Sequence, residues 1–193
     1  MKEMFEIRWH GRGGQGAKTA ALLFGDAACS TGKYVQAFPE YGPERMGAPV
    51  VSFNRISSHP IRTRGPISNP DIVVVLDVSL VDQIDIKSGL DPDNGKILLN
   101  SSRDPQELKK QLDFNGQIFT VDASKISRET IGRDIPNTPL MGALIRITNL
   151  LDIEDVIKDI QHKLEIKFKN KPDVIEGNLK AIRQAYDFVK GSN

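Results

Sequence analysis

The sequence predicts an α/β fold: a mostly parallel sheet with helices on both faces, closed by a helical C-terminal tail. Three observations predict it. Strand-like and helix-like segments alternate from residue 5 to residue 131. The run Ile72-Val73-Val74-Val75-Leu76 is continuously apolar, as a central strand buried on both faces must be. Four glycines, Gly11, Gly13, Gly14 and Gly16, stand between a strand pattern and a helix pattern near the start, the junction of a Rossmann-like sheet. Residues 1–150 form the α/β core of this single domain, and 151–193 its C-terminal helices.

In chain order, Phe5, Ile7 and Trp9 alternate with Glu6 and Arg8, a period of two that reads as a strand. Ala17 to Ser30 reads as a helix that stops at Gly32. Tyr34 to Phe38 is a short strand, Val50 to Ile56 another, and Ile61 to Thr63 is read as extending or pairing with it. The central strand of residues 72–76 ends at Asp77, which is read as the N-cap of a helix from Ser79 to Ile86 rather than as a catalytic acid. Strands follow at Lys96 to Asn100 and Gln117 to Val121, with helices at Pro105 to Leu112 and Lys125 to Ile131. In Ile135-Pro136-Asn137-Thr138-Pro139, Thr138 can cap and Pro139 can open a buried helix running from Leu140 to Leu151. Two amphipathic helices, Asp152 to Phe168 and Pro172 to Val189, complete the chain.

The glycine turn is the candidate site. Gly11, Gly13 and Gly16 fit the spacing G-x-G-x-x-G. A nicotinamide site would also want an acid about 20 residues on, at the end of the next strand. That strand ends in Phe38-Pro39, with Glu40 beyond the proline. A phosphate-loop NTPase wants lysine directly after the last glycine, and Ala17 intervenes before Lys18-Thr19, a rotation of about 100° on a helix. Two readings stay open: a tight turn that only joins strand to helix, or a backbone cradle for an anion at a helix N-terminus.

Composition closes off other classes. A net charge of +1 argues against nucleic acid as the main partner. No apolar run approaches the roughly 18 residues of a membrane span. Met1-Lys2-Glu3-Met4 runs straight into a strand, which predicts no signal peptide and a cytoplasmic protein. The single cysteine, Cys29, cannot hold an iron–sulfur cluster, which takes about four, and is expected to be a small buried hydrophobe. The three histidines, His10, His59 and His162, lack ligand spacing, so no metal site is expected.

The segment from Tyr34 to Pro49 is stiffened by Pro39, Pro43 and Pro49 and bent at Gly42 and Gly47. It is either a rigid surface connector or a loop that faces a ligand or partner beside the glycine turn. The second reading is favoured, with Phe38, Tyr41 and Met46 displayed as an interface core.

Three stretches, taken together, resemble a known family: residues 10–16, HGRGGQG; residues 36–45, QAFPEYGPER, with Gly47-Ala48-Pro49; and residues 135–144, IPNTPLMGAL. The chain resembles the gamma subunit of 2-oxoacid:ferredoxin oxidoreductases, with pyruvate:ferredoxin oxidoreductase (pyruvate synthase) first and a branched-chain 2-oxoacid enzyme second. A free-standing nucleotide-binding oxidoreductase domain is the remaining alternative. The resemblance implies a multi-subunit enzyme of anaerobes that converts a 2-oxoacid and coenzyme A to acyl-CoA, carbon dioxide and reduced ferredoxin, reversibly. It implies alpha, beta and ferredoxin-like delta subunits as partners. These would hold thiamine diphosphate, Mg and [4Fe-4S] clusters, leaving this chain with none and no catalytic residue of its own. This chain is then expected to contribute to coenzyme A binding and to assembly. Gly11, Arg12, Gly13, Gly14, Gln15, Gly16, Arg45 and Arg133 are its candidate CoA-binding residues. Arg45 leads, and Lys18 is a further candidate with a solvated helix face as its plainer explanation.

Overall fold

The computed structural model describes residues 3–40, 46–169 and 171–192. Its centre is a seven-stranded sheet of order β2-β3-β1-β4-β5-β6-β7. The strands are β1 (Met4–Arg12), β2 (Tyr34–Pro39), β3 (Pro49–Ser57), β4 (Ile72–Val75), β5 (Lys96–Asn100), β6 (Gln117–Val121) and β7 (Lys190–Gly191). The helices are α1 (Ala17–Ser30), α2 (Pro105–Leu112), α3 (Ala123–Ile131), α4 (Asn137–Thr148), α5 (Ile153–Lys167) and α6 (Pro172–Phe188). The four central strands β1, β4, β5 and β6 are parallel, while β2, β3 and β7 pair antiparallel with their neighbours. The sheet is therefore mixed. The connection from β2 to β3 spans only residues 40–48, too short for the crossover that parallel neighbours require.

Alternation along the strands sorts the core into two layers. Ile7 and Trp9 of β1 with Ile72 and Val74 of β4 face α1 and α4. Val73 and Val75 with Ile97 and Leu99 face α2 and the segment around Leu80 and Ile86. Trp9 is fully buried and settles its indole N–H on Asn54 Oδ1 at 2.7 Å, and Asn54 Nδ2 donates to the Ala21 carbonyl at 2.8 Å. That relay pins β1, β3 and α1 together. The C-terminal helices pack by close approach: a methyl on Gly142 of α4 would run into the Ile182 carbonyl oxygen of α6.

Several sequence expectations shift. Ile61 to Thr63 forms no strand. The helix expected from Ser79 to Ile86 is a 3-10 turn, Val78–Asp82, though Asp77 caps it as expected, accepting from the Ser79 N–H. α4 starts at Asn137 after an N-cap at Pro136, so Thr138 lies inside the first turn rather than capping it, and the helix ends at Thr148. Cys29 is exposed rather than buried, because it lies off the buried stripe of Ala20, Ala21, Phe24, Ala27 and Ala28 on α1. Phe38 is not displayed but packs on Phe53, with ring centroids 5.3 Å apart. Met46 is displayed, with 92% of its surface exposed. Tyr41 and Arg45 lie outside the described residues.

Candidate functional site

β1 carries the chain to the carboxyl edge of the parallel strands, where Gly11 to Gly16 turn it into α1. Gly14 and Gly16 have φ of 96° and 86°, a left-handed backbone that glycine alone adopts readily. Gly16 is the N-cap of α1 and supplies no side chain to it. Among the described residues, the N–H groups of Gly14, Gly16, Ala17, Lys18 and Thr19 meet no protein acceptor. The Gly13 N–H is spent on the Ala48 carbonyl, and the Gly47 N–H on the Gly13 carbonyl. The end of the β2–β3 connector is thus stitched to the glycine turn.

Arg12 and Gln15 brace this turn from within. Arg12 Nε donates to Asp77 Oδ2 at 2.9 Å, Nη1 to the Gly47 carbonyl at 3.1 Å, and Nη2 to Ser79 Oγ at 2.8 Å and Gln83 Oε1 at 3.0 Å. Four of its five N–H donors are used inside the chain. Gln15 Oε1 accepts the Arg12 N–H at 2.8 Å, and its Nε2 donates to Asp77 at 2.9 Å. Burial would raise the Asp77 pKa, but hydrogen bonds from Ser79, Gln15 and Arg12 outweigh it and hold the carboxyl below its ordinary value.

A cleft of about 500 Å³ opens beside the turn. Its walls are the first residues after β4, β5 and β6 and the starts of the helices that follow: Gln15, Asp77, Asn100, Ser101, Arg103 and Ser124, among others. Asn100 fixes the geometry. Its Nδ2 donates to the Leu76 carbonyl at 2.9 Å and to Ser124 Oγ at 3.0 Å, and its Oδ1 accepts the Ser124 N–H. The carboxylates on the walls are occupied: Asp77 with Arg12, Asp134 with Arg128 at 2.8 Å, and Asp122 as the N-cap of α3. The N-cap residues of α1 and α4, Gly16 and Pro136, supply no side-chain cap, although in α4 Asn137 Oδ1 accepts the Thr138 N–H at 2.8 Å. The two helices meet at Asn137, whose Nδ2 sits 2.8 Å from where a Gly16 Cβ would lie. Asn137 is 6% exposed, and among the described residues its Nδ2 has no acceptor.

The structure therefore brings Gly11 to Gly16 to the mouth of a cleft. Arg133 lies exposed just before the α4 N-terminus, and Lys18 faces outward on the first turn of α1. Asn100, Ser101, Ser102, Arg103 and Ser124 complete the walls, and Asn137 stands beside Gly16. Sequence reasoning did not single them out as a site. The available signal was a polar cluster directly after a strand and before a helix, repeated at residues 77–79, 100–104 and 122–124.

Behind the turn, on the opposite face of β1 from Trp9, His10 is buried and accepts from Arg8 Nε at its Nε2, 3.1 Å away. Its Nδ1 must then carry the proton, and among the described residues that N–H has no acceptor. Burial, and then the Arg8 charge, push its pKa down to about 4.

Helix starts gathered at the carboxyl edge of the parallel strands β1, β4, β5 and β6 make this an α/β domain of the kind that offers ligands a crevice there. No group of three or more His, Cys, Asp or Glu among the described residues could hold a metal ion, and no helix is long and apolar enough to cross a membrane. The chain belongs to the pyruvate ferredoxin/flavodoxin oxidoreductase family, whose model matches residues 6–188. It is 48% identical over 191 residues to pyruvate synthase subunit PorC of Thermotoga maritima, covering 99% of this chain and 97% of that one. To the pyruvate/ketoisovalerate oxidoreductases common subunit gamma of Pyrococcus furiosus it is 42% identical over 185 residues, 95% of this chain and 96% of the other. The crystal structure of the Thermotoga maritima subunit matches with a TM-score of 0.86 at 45% identity, covering all of both chains. The 2-oxoglutarate:ferredoxin oxidoreductase of Magnetococcus marinus, at 18% identity, shares the fold with a TM-score of 0.71 over 97% of this chain and 31% of that one.

Proposed function

We propose that this chain is the cytoplasmic gamma subunit of a pyruvate:ferredoxin oxidoreductase and that it binds coenzyme A at the cleft beside Gly16. In the assembled enzyme, pyruvate, coenzyme A and oxidised ferredoxin yield acetyl-CoA, carbon dioxide and reduced ferredoxin. Thiamine diphosphate, Mg and the iron–sulfur clusters belong to the alpha, beta and ferredoxin-like delta subunits and supply the carbanion and electron chemistry. The single cysteine of this chain cannot hold a cluster, and among the described residues no group of three or more His, Cys, Asp or Glu could hold a metal ion.

One observation carries the coenzyme A reading: the starts of α1 and α4, whose N-cap residues supply no side-chain cap, converge where Asn137 Nδ2, without an acceptor among the described residues, stands beside Gly16. Coenzyme A brings a diphosphate and a 3′-phosphate, and free N–H groups at a helix start suit such an anion. Gly13 to Gly16 supply the cradle, Arg103 stands on the wall as a nearby cation, and Arg12 and Gln15 hold the turn in shape. Gly11 lets the strand turn close against Ala17 and Leu76. Arg45 and Arg133 are proposed as phosphate partners on their chemistry and their place in the sequence. The Pyrococcus furiosus relative is named as common to two oxidoreductases. A shared gamma subunit places the choice of 2-oxoacid on other chains, so a ketoisovalerate enzyme is the second reading.

The test is steady-state kinetics on complex of confirmed composition. Asn137→Ala is expected to raise the KM for coenzyme A about tenfold or more, as loss of a hydrogen bond to a charged group does, and to leave the 2-oxoacid KM unchanged. An unchanged coenzyme A KM in both Asn137→Ala and Arg45→Ala would reject the site.

A further inference from the structure

We infer that the outer edge of β2 is a docking site for an extended segment of another subunit, which adds to the sheet as an eighth strand. The inference rests on the subunit reading above and concerns a surface that shares no lining residue with the cleft.

β2 is one of the two terminal strands of the sheet, the other being the two-residue β7. Its register against β3 is regular, and the Glu40 N–H donates to the Val51 carbonyl at 2.9 Å. In an antiparallel ladder, hydrogen-bonded pairs alternate with non-bonded ones. Gln36 and Phe38 therefore spend their main-chain groups on β3, whereas Val35 and Ala37 turn theirs outward. Among the described residues, the N–H and C=O groups of Val35 and Ala37 meet no partner. An edge of this kind is usually blunted by charge, a bulge or a covering element. Here only Pro39, at the strand's end, does so.

A groove of about 710 Å³ runs along this edge, lined by every residue from Val35 to Glu40 and floored by Phe38 and Phe53. The far wall is the loop that carries Arg64, and it is held rigidly. Gln36 Nε2 donates to the Thr63 carbonyl at 3.1 Å, and Arg55 donates to the Gly65 and Pro66 carbonyls at 3.0 Å each. Arg55 is neutralised by Glu6 at 2.8 Å. Arg64 has no ion-pair partner among the described residues. Among the described residues, the groove thus offers unspent main-chain donors and acceptors, an apolar floor and, in Arg64, a cation without an ion-pair partner.

The occupant that fits is a partner polypeptide of about six residues, the length of β2, in extended form. It carries an apolar side chain over Phe38 and an acidic one for Arg64. Recognition through main-chain hydrogen bonds tolerates changes in the partner's sequence. That is the property needed by a gamma subunit common to two oxidoreductases, as the Pyrococcus furiosus relative is named.

The test is hydrogen–deuterium exchange of the whole complex, compared with the chain alone. The Val35 and Ala37 amides should exchange about a hundredfold more slowly in the complex, because a hydrogen-bonded strand must open before they exchange. Ala37→Pro removes an outward N–H that β3 does not use, so the subunit should fold, with an unchanged circular dichroism spectrum. It should lose about tenfold or more in affinity for its partners, as should Arg64→Glu. A complex that forms while both amides exchange as freely as in the isolated chain overturns the inference and leaves the subunit reading standing. Absence of any complex overturns both. Protection that appears in the isolated chain and grows with its concentration assigns the edge to a second copy of this chain and overturns the partner named here.

Discussion

Replacing Arg12 separates bracing from binding at the glycine turn. Its pair with Asp77 is 2.9 Å long, and the two side chains keep 23% and 20% of their surface exposed, so solvent screens it only in part. In Arg12→Ala the carboxylate keeps the Ser79 N–H, the Ser79 hydroxyl and Gln15 Nε2. One charge-assisted bond is lost outright, worth about 1.5–3 kcal/mol, while the Gly47, Ser79 and Gln83 acceptors are exposed enough to take water instead. The expected loss of stability is about 2–3 kcal/mol, which for a chain of this size lowers Tm by roughly 4–12 °C. A cycle of Arg12→Ala, Asp77→Asn and the double variant, followed by thermal and urea unfolding, should give a coupling of about 1–2 kcal/mol. Arg12→Lys should recover less than half, since an ammonium cannot reach four acceptors in a plane. If Arg12→Ala unfolds like the parent and instead raises the coenzyme A KM tenfold in the complex, Arg12 grips ligand and the bracing argument fails.

Two further outcomes follow from the interior. Gly142→Ala sets a methyl against the Ile182 main chain, which cannot swing aside, so it should cost about 3 kcal/mol or more. Differential scanning calorimetry showing an unchanged Tm would mean that α4 and α6 are not in contact there. His10 ionises near pH 4 when folded against 6.5 when free, so between those values the unfolded chain binds the extra proton. Stability should therefore be unaffected above pH 6.5 and fall by up to about 3 kcal/mol as pH drops to 4. Urea titrations of parent and His10→Gln across that window should show the slope lost in the variant. Equal slopes would remove His10 from the acid response.

What the sequence made legible was what short-range chemistry encodes. Asp77 declares itself a cap because a carboxylate two residues before an N–H can accept from it, and it does so from Ser79. The strand of residues 72–75 stands out because burial on both faces leaves no polar alternation. The path of the sheet was harder. Nothing in the side chains of Val50 to Ile56 announces that their strand runs against β1, although the short link from β2 made a parallel neighbour impossible. The turn at Val78–Asp82 is shorter than the helix expected there, and Leu80 is its one buried residue. Cys29 was misplaced by composition: small and apolar, but on the outward side of α1. The cleft was half visible. Glycines mark the turn by their rarity in such density, whereas Asn100, Ser101 and Asn137 are ordinary loop residues until the sheet brings them together.

The last residues of the chain give the sheet a direction. β7 is two residues long, yet it lies against Phe119 and Thr120 of β6, and Ser192 exchanges a pair of bonds with Ile118: its N–H donates to the carbonyl at 2.7 Å, and its hydroxyl accepts the Ile118 N–H at 2.9 Å. The far margin is thereby shut by the molecule's own tail, while the margin at β2 stays open. The edge left at the β7 side is only two residues long, against six at β2, and offers a copy's β2 few main-chain groups to pair with. Strand addition is thereby biased to the β2 side, which disfavours head-to-tail growth into a fibre.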